Sequence, residues 1–123
     1  MKSNLYLLLL LILTSCEIPV DFDIKYIESL LEIKLEEGYI IENKEYHYGI
    51  GNSVKSFDIV FDEGAFNMFL REVGHKFVPV GKDPYDAVKS NIDYYKNYDF
   101  DGDRIYLAIT LSKRKLHYSI IDL

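Results

Sequence analysis

Residues 93–109 read Asp93-Tyr94-Tyr95-Lys96-Asn97-Tyr98-Asp99-Phe100-Asp101-Gly102-Asp103-Arg104-Ile105-Tyr106-Leu107-Ala108-Ile109, and this stretch decides the fold. Asp101-Gly102 suits a two-residue hairpin turn, whose central positions need positive φ, which aspartate and glycine accept. Aligning Phe100 with Asp103 sets Tyr98 opposite Ile105 and Tyr94 opposite Ile109 on one face, while Asp99 meets Arg104 on the other. Apolar side chains then share a face and opposite charges pair. A second turn over 112–115 extends the pattern, with Leu111 opposite Leu116, Ile109 opposite Tyr118 and Leu107 opposite Ile120. The expectation is a C-terminal three-stranded meander. Tyr85, Val88, Ile92 and Tyr95 also fit one face of a helix, which leaves residues 92–96 open to either reading.

Upstream, Ile24, Ile27, Leu30 and Leu31 recur at helical spacing and predict a helix over Asp23–Lys34, with Gly38 separating it from the next segment. Tyr39–Tyr48 reads as a strand whose alternation changes phase between Ile41 and Tyr46, the mark of a bulge. After a turn over Gly49–Ser53, Lys55–Phe61 alternates cleanly, Phe57, Ile59 and Phe61 on one face and Asp58 and Val60 on the other. Asp62 is placed to cap a second helix, in which Phe66, Phe69, Leu70 and Val73 form a stripe ending at Gly74. A loop over His75–Lys82 leads to Asp83-Pro84, an N-cap and first-turn proline, and a short helix to about Asn91. The fold class expected is α+β: an antiparallel sheet of about five strands, a two-strand hairpin plus the meander, with two to three helices packed on one face. Which strands join the two halves is not set by these patterns.

The chain opens Met1-Lys2-Ser3-Asn4, runs apolar from Leu5 to Leu13 and continues Thr14-Ser15-Cys16, with Cys16 its only cysteine. The apolar block is about half the 18–20 residues a transmembrane helix needs, and Glu17 closes it. A positive start, a short apolar region and small residues before a cleavage point describe a secretory signal. The Leu13-Thr14-Ser15-Cys16 run resembles the lipobox of bacterial lipoproteins. That resemblance covers residues 1–16 alone. It implies cleavage before Cys16, a diacylglycerol on its sulfur and usually a third, amide-linked chain. It also implies anchoring in the cell envelope, and with Glu17 rather than aspartate after the cysteine, an outer-membrane position facing the periplasm in a Gram-negative host. Two or more acyl chains give a stable anchor without any protein span.

The expected organisation is a signal peptide at 1–15, a lipidated N-terminus and short tether at 16–22, and one domain at 23–123. Hydrophobic residues make up 49% of the chain and aromatics 15%, a composition that folds. A lone cysteine excludes an internal disulfide, so packing must supply stability. The net charge is −6, and loss of Lys2 with the signal makes the mature chain more acidic still. This balance disfavours nucleic acid and anionic headgroups as primary ligands and suits a cationic partner.

Asp99, Asp101 and Asp103 have the alternating spacing that begins a calcium loop. Counted from Asp99, however, the sixth and twelfth positions are Arg104 and Thr110 instead of glycine and glutamate, so a hairpin turn with at most a weak cation loop is the reading. His47, His75 and His117 are widely separated, with no i, i+4 pair and no cysteine to join them, and no metal or other cofactor is expected. No serine sits in a G-x-S-x-G elbow, and no catalytic set emerges. Lys113-Arg114-Lys115 is the one basic cluster, read as a solvated turn. Tyr95 and Tyr106 fall on the face opposite the apolar one, where they form a candidate aromatic platform for a protein or glycan. The function expected is therefore a small, non-catalytic, membrane-anchored lipoprotein that binds an envelope protein or cell-wall partner. The alternative is an immunity or inhibitor protein neutralising a cationic envelope-targeting toxin or hydrolase.

Overall fold

A computed structural model describes residues 19–80 and 91–122. Cys16, the signal segment and the helix expected at 83–91, apart from Asn91, lie outside the described residues. The elements are α1 (Asp21–Leu31), β1 (Tyr39–Gly49), β2 (Asn52–Phe61), α2 (Glu63–Val73), a 3-10 turn at Gly74–Lys76, β3 (Val78–Pro79), β4 (Tyr94–Phe100), β5 (Asp103–Thr110), a 3-10 turn at Leu111–Lys113 and β6 (Lys115–Asp122). The fold is α+β. Its six-stranded sheet, order β1-β2-β6-β5-β4-β3, is antiparallel throughout.

The β4–β5 hairpin has the register that its alternation requires: Phe100 faces Asp103, Tyr98 faces Ile105 and Tyr94 faces Ile109. Asp101 and Gly102 both carry positive φ, 48° and 86°, as a turn of this hand demands. Tyr94 to Lys96 are strand, which rules out a helix continuing through Tyr95. The β5–β6 register differs from expectation by two residues. Ile109 faces Leu116, Leu107 faces Tyr118 and Ile105 faces Ile120. The cause is the connection: a single 3-10 turn closes at Arg114 in the left-handed conformation, so Thr110 meets Lys115 directly. A two-residue slip preserves the face of every side chain, and hydrophobic alternation is blind to it.

β1 contains the expected bulge, between Glu42 and Glu45, with Asn43 at φ 55°. Helix α1 begins at Asp21, two residues earlier than its spacing suggests, and stops at Leu31 because Glu32 turns left-handed. Asp62 caps α2 by accepting the Ala65 N–H at 2.8 Å. The segment after α2 is not loop throughout, as its sequence pattern implies; Val78 and Pro79 add a sixth, edge strand beside Tyr95 and Tyr94. Proline is tolerated at such an edge, where no further strand needs its missing N–H.

Both described helices lie on one face of the sheet. Phe66 and Phe69 of α2 pack around Phe61, with the Phe61 and Phe69 ring centroids 4.9 Å apart. Ile27 and Leu31 of α1 join Phe57, Ile59, Ile105, Leu107, Ile109, Leu116 and Tyr118 in the same core. Within it sits a polar trio. Lys55 pairs with the Asp23 carboxylate and also donates to the Pro19 carbonyl, while the Tyr118 hydroxyl donates to Asp23 at 2.9 Å. Burial and the adjacent Asp23 carboxylate push the Tyr118 phenol well up, so it stays a hydrogen donor. The trio fastens the start of α1 to the centre of the sheet.

Candidate functional site

The face of the sheet turned away from both helices is built by the other half of each alternation. One register row across it reads Glu42, Asp58, His117, Ala108 and Tyr95, on β1, β2, β6, β5 and β4. Beside it lie Ser56, Ser119, Tyr106 and Asn97, again one from each strand from β2 to β4.

Asp58 organises the row. The residue is 4% exposed, and each carboxylate oxygen has a partner. Oδ1 lies 2.6 Å from His117 Nδ1, and Oδ2 accepts from Asn43 Nδ2 at 2.8 Å, with Lys115 Nζ at 3.7 Å. Burial alone would raise this carboxyl. The hydrogen bonds from Asn43 and His117, with the nearby positive charge of Lys115, outweigh it and hold Asp58 below the usual carboxylate range. Asn43 sits in the β1 bulge at positive φ, a conformation asparagine accepts more readily than most residues, and from there its side chain donates to Asp58. The network assigns the proton on the near ring nitrogen to the Asp58 bond, leaving Nε2 as the outward nitrogen of a half-exposed ring. A carboxylate holding one imidazole nitrogen fixes the ring's tautomer and orientation; here the fixed ring stands on an open sheet face.

Tyr95 and Tyr106 are brought together on this face. Tyr106 faces Asn97, the second residue along from Tyr95, so the two rings are diagonal neighbours. Both are partly buried. Burial first, and then the neighbouring Tyr95, push the Tyr106 phenol up. Ala108, fully buried between Tyr95 and His117, keeps the row low at its centre.

The other sequence candidates separate. Asp99 sits with Arg104 on the open face, 3.8 Å apart, whereas Asp103 lies on the helix face beside Asp122, and Asp101 occupies the turn. Asp99 therefore does not join the other two. Among the described residues no group of three or more His, Cys, Asp or Glu could hold a metal ion. His47 is exposed near Glu45, and His75 lies in the first 3-10 turn, so the three histidines do not meet. The basic run does not form a single patch: Arg114 Nε donates to the Phe61 carbonyl and Lys115 turns toward Asp58, leaving Lys113 in solvent.

The Asp58–His117 pair and the Asp23–Lys55–Tyr118 trio are not evident from the sequence. Asp58 inside an apolar strand and His117 between Leu116 and Tyr118 are the visible signals, but their meaning depends on β2 lying next to β6. Compared with known proteins, the chain matches no family model, no curated protein and no solved structure. Among the described residues no helix is long and apolar enough to cross a membrane.

Proposed function

We propose that this chain is a lipid-anchored, non-catalytic binding domain of the bacterial cell envelope, and that the sheet face opposite the helices recognises a protein or cell-wall partner. The observation that carries this reading is the juxtaposition of Tyr95 and Tyr106 on that face, one strand from a histidine whose orientation Asp58 fixes. Paired aromatic rings supply apolar area and a polar tip with few rotamers to freeze, and His117 Nε2 adds a directional hydrogen bond. A pre-oriented group loses little entropy on binding. The lipobox at residues 13–16 supports the anchor.

Replacing Tyr95 and Tyr106 with Ser tests the surface. The double variant should keep the fold, because both side chains lie outside the core, and should capture an envelope partner at least ten-fold less well, the effect of about 1.4 kcal/mol. Undiminished capture, measured by crosslinking to envelope fractions beside the unaltered chain, would remove the platform.

A further inference from the structure

The end of the sheet beside Pro19, the first described residue, carries an unusual set of side chains. Across it runs the row Tyr48, Ser53, Asp122, Asp103 and Phe100, so the β1–β2 turn, the β4–β5 turn and the end of β6 share one edge of the molecule. Lys55, two residues in from that row, holds the Pro19 carbonyl. Among the described residues nine large hydrophobic side chains are exposed. Five are at this end: Phe22, Tyr46, Tyr48, Ile50 and Phe100. Tyr48 is 81% exposed, Ile50 at the tip of the turn 108%, and Phe22 in the first turn of α1 78%. Tyr46 and Tyr48 support each other edge to face, 4.5 Å between centroids, and Phe22 stacks on Tyr26 at 6.3 Å.

From these positions we infer that this edge rests on the lipid surface, with the β1–β2 tip inserting Tyr48 and Ile50 into the boundary between headgroups and acyl chains. The inference depends on the lipid anchor proposed above. Only Glu17 and Ile18 lie between Cys16 and Pro19, and an extended chain over those three peptide steps reaches only about 10 Å. A lipid on Cys16 therefore holds Pro19, and the edge beside it, against the bilayer. Tyrosine suits the interface, where its ring is apolar and its hydroxyl stays wet. The contact is apolar in kind, since Asp101, Asp103 and Asp122 lie at the same edge and repel anionic headgroups. The geometry also keeps the open face usable: Tyr95 stands five residues along β4 from Phe100, about 17 Å from the membrane edge.

The test uses the full chain, processed in a bacterium, with an environment-sensitive fluorophore on Ile50→Cys or, at the far end of the sheet, on Lys113→Cys. The intact mass of each preparation reports whether Cys16 is acylated. Each is reconstituted in phosphatidylcholine–phosphatidylethanolamine vesicles with and without spin-labelled acyl chains, and again with added phosphatidylglycerol. The expected result is acylated Cys16, a blue-shifted signal at position 50 that the spin label quenches, an aqueous signal at 113, and weaker quenching at 50 with phosphatidylglycerol. Acylated Cys16 with an aqueous signal at 50 overturns the inserted tip while leaving the anchor standing. An unacylated Cys16 overturns the anchor, and the inserted tip with it.

Discussion

Asp23 and Asp58 are the same chemical group, each 4% exposed, on opposite sides of one sheet. Their partners differ. Asp23 faces the fixed cation of Lys55 and a phenol locked in the core, and the chain that closes over it is the start of α1. Asp58 faces an imidazole whose far nitrogen looks outward and an asparagine set by a bulge. Among the described residues no buried side-chain polar atom lacks a hydrogen bond, so neither carboxylate is a defect. Equal burial thus serves two purposes: where every partner is enclosed, the group holds elements together; where one partner is exposed, it fixes that partner's orientation on the open face.

The largest effect expected from this contrast is at Lys55. Lys55→Met keeps most of the side-chain volume but leaves the Asp23 charge buried beside a phenol alone, a loss of about 3–5 kcal/mol. Urea unfolding should show it as a lower midpoint with an unchanged slope. Adding Asp23→Asn to Lys55→Met should restore part of the loss, because the uncompensated charge is gone. If the double variant is less stable by the plain sum of the two single losses, the trio is not coupled and the contrast breaks on that side.

The fold was legible where a local rule had only one answer. Asp101-Gly102, between alternating strands, specifies both turn and register, and Asp62 before the Phe66–Val73 stripe specifies the start of a helix. The β5–β6 register was not legible because a slip of two residues leaves every face unchanged; only the left-handed Arg114 distinguishes the alternatives. β3 escaped because two residues carry no period. In the candidate site the Tyr95–Tyr106 pair was readable, lying within one hairpin. Asp58 and His117 are 59 residues apart and meet only through the β2–β6 pairing, which neither strand's own pattern names. The β1 bulge was legible as a change of phase, but not the bond that Asn43 makes from it to Asp58.

A middle-sized effect is expected at Asp58. Asp58→Asn removes the charge that His117 and Lys115 face, and should lower stability by about 2 kcal/mol at neutral pH. Its pH dependence is the sharper readout. An aspartate has a pKa of about 3.9 in an unfolded chain, and in the folded protein Asp58 lies lower. The folded state then favours the carboxylate, so this contribution is complete above the unfolded value and is lost as pH falls through the folded one. The stability difference between the unaltered chain and Asp58→Asn should shrink across that acid window. A difference independent of pH would show that shape, not charge, holds His117.

Asp103 turns the comparison around. It lies in the edge row with Asp122 opposite and Asp101 in the adjoining turn, and it is raised, by partial burial first and then by those two neighbours. A raised carboxyl binds its proton more tightly in the folded state, so its charge opposes folding at neutral pH and the opposition fades as pH falls through the raised value. Asp103 and Asp58 thus pull stability in opposite directions on acidification. Asp103→Asn should stabilise the protein slightly, by less than about 0.5 kcal/mol given its access to solvent, seen as a small rise in the urea midpoint. Because exposed charges are screened, the gain should dwindle in high salt, whereas the Lys55→Met loss should persist. A salt-insensitive change at Asp103 would mean that its neighbours act through hydrogen bonding instead of charge. The rule drawn from Asp23 and Asp58, that a carboxylate's partners decide its role, would then extend to the exposed edge of the sheet as well.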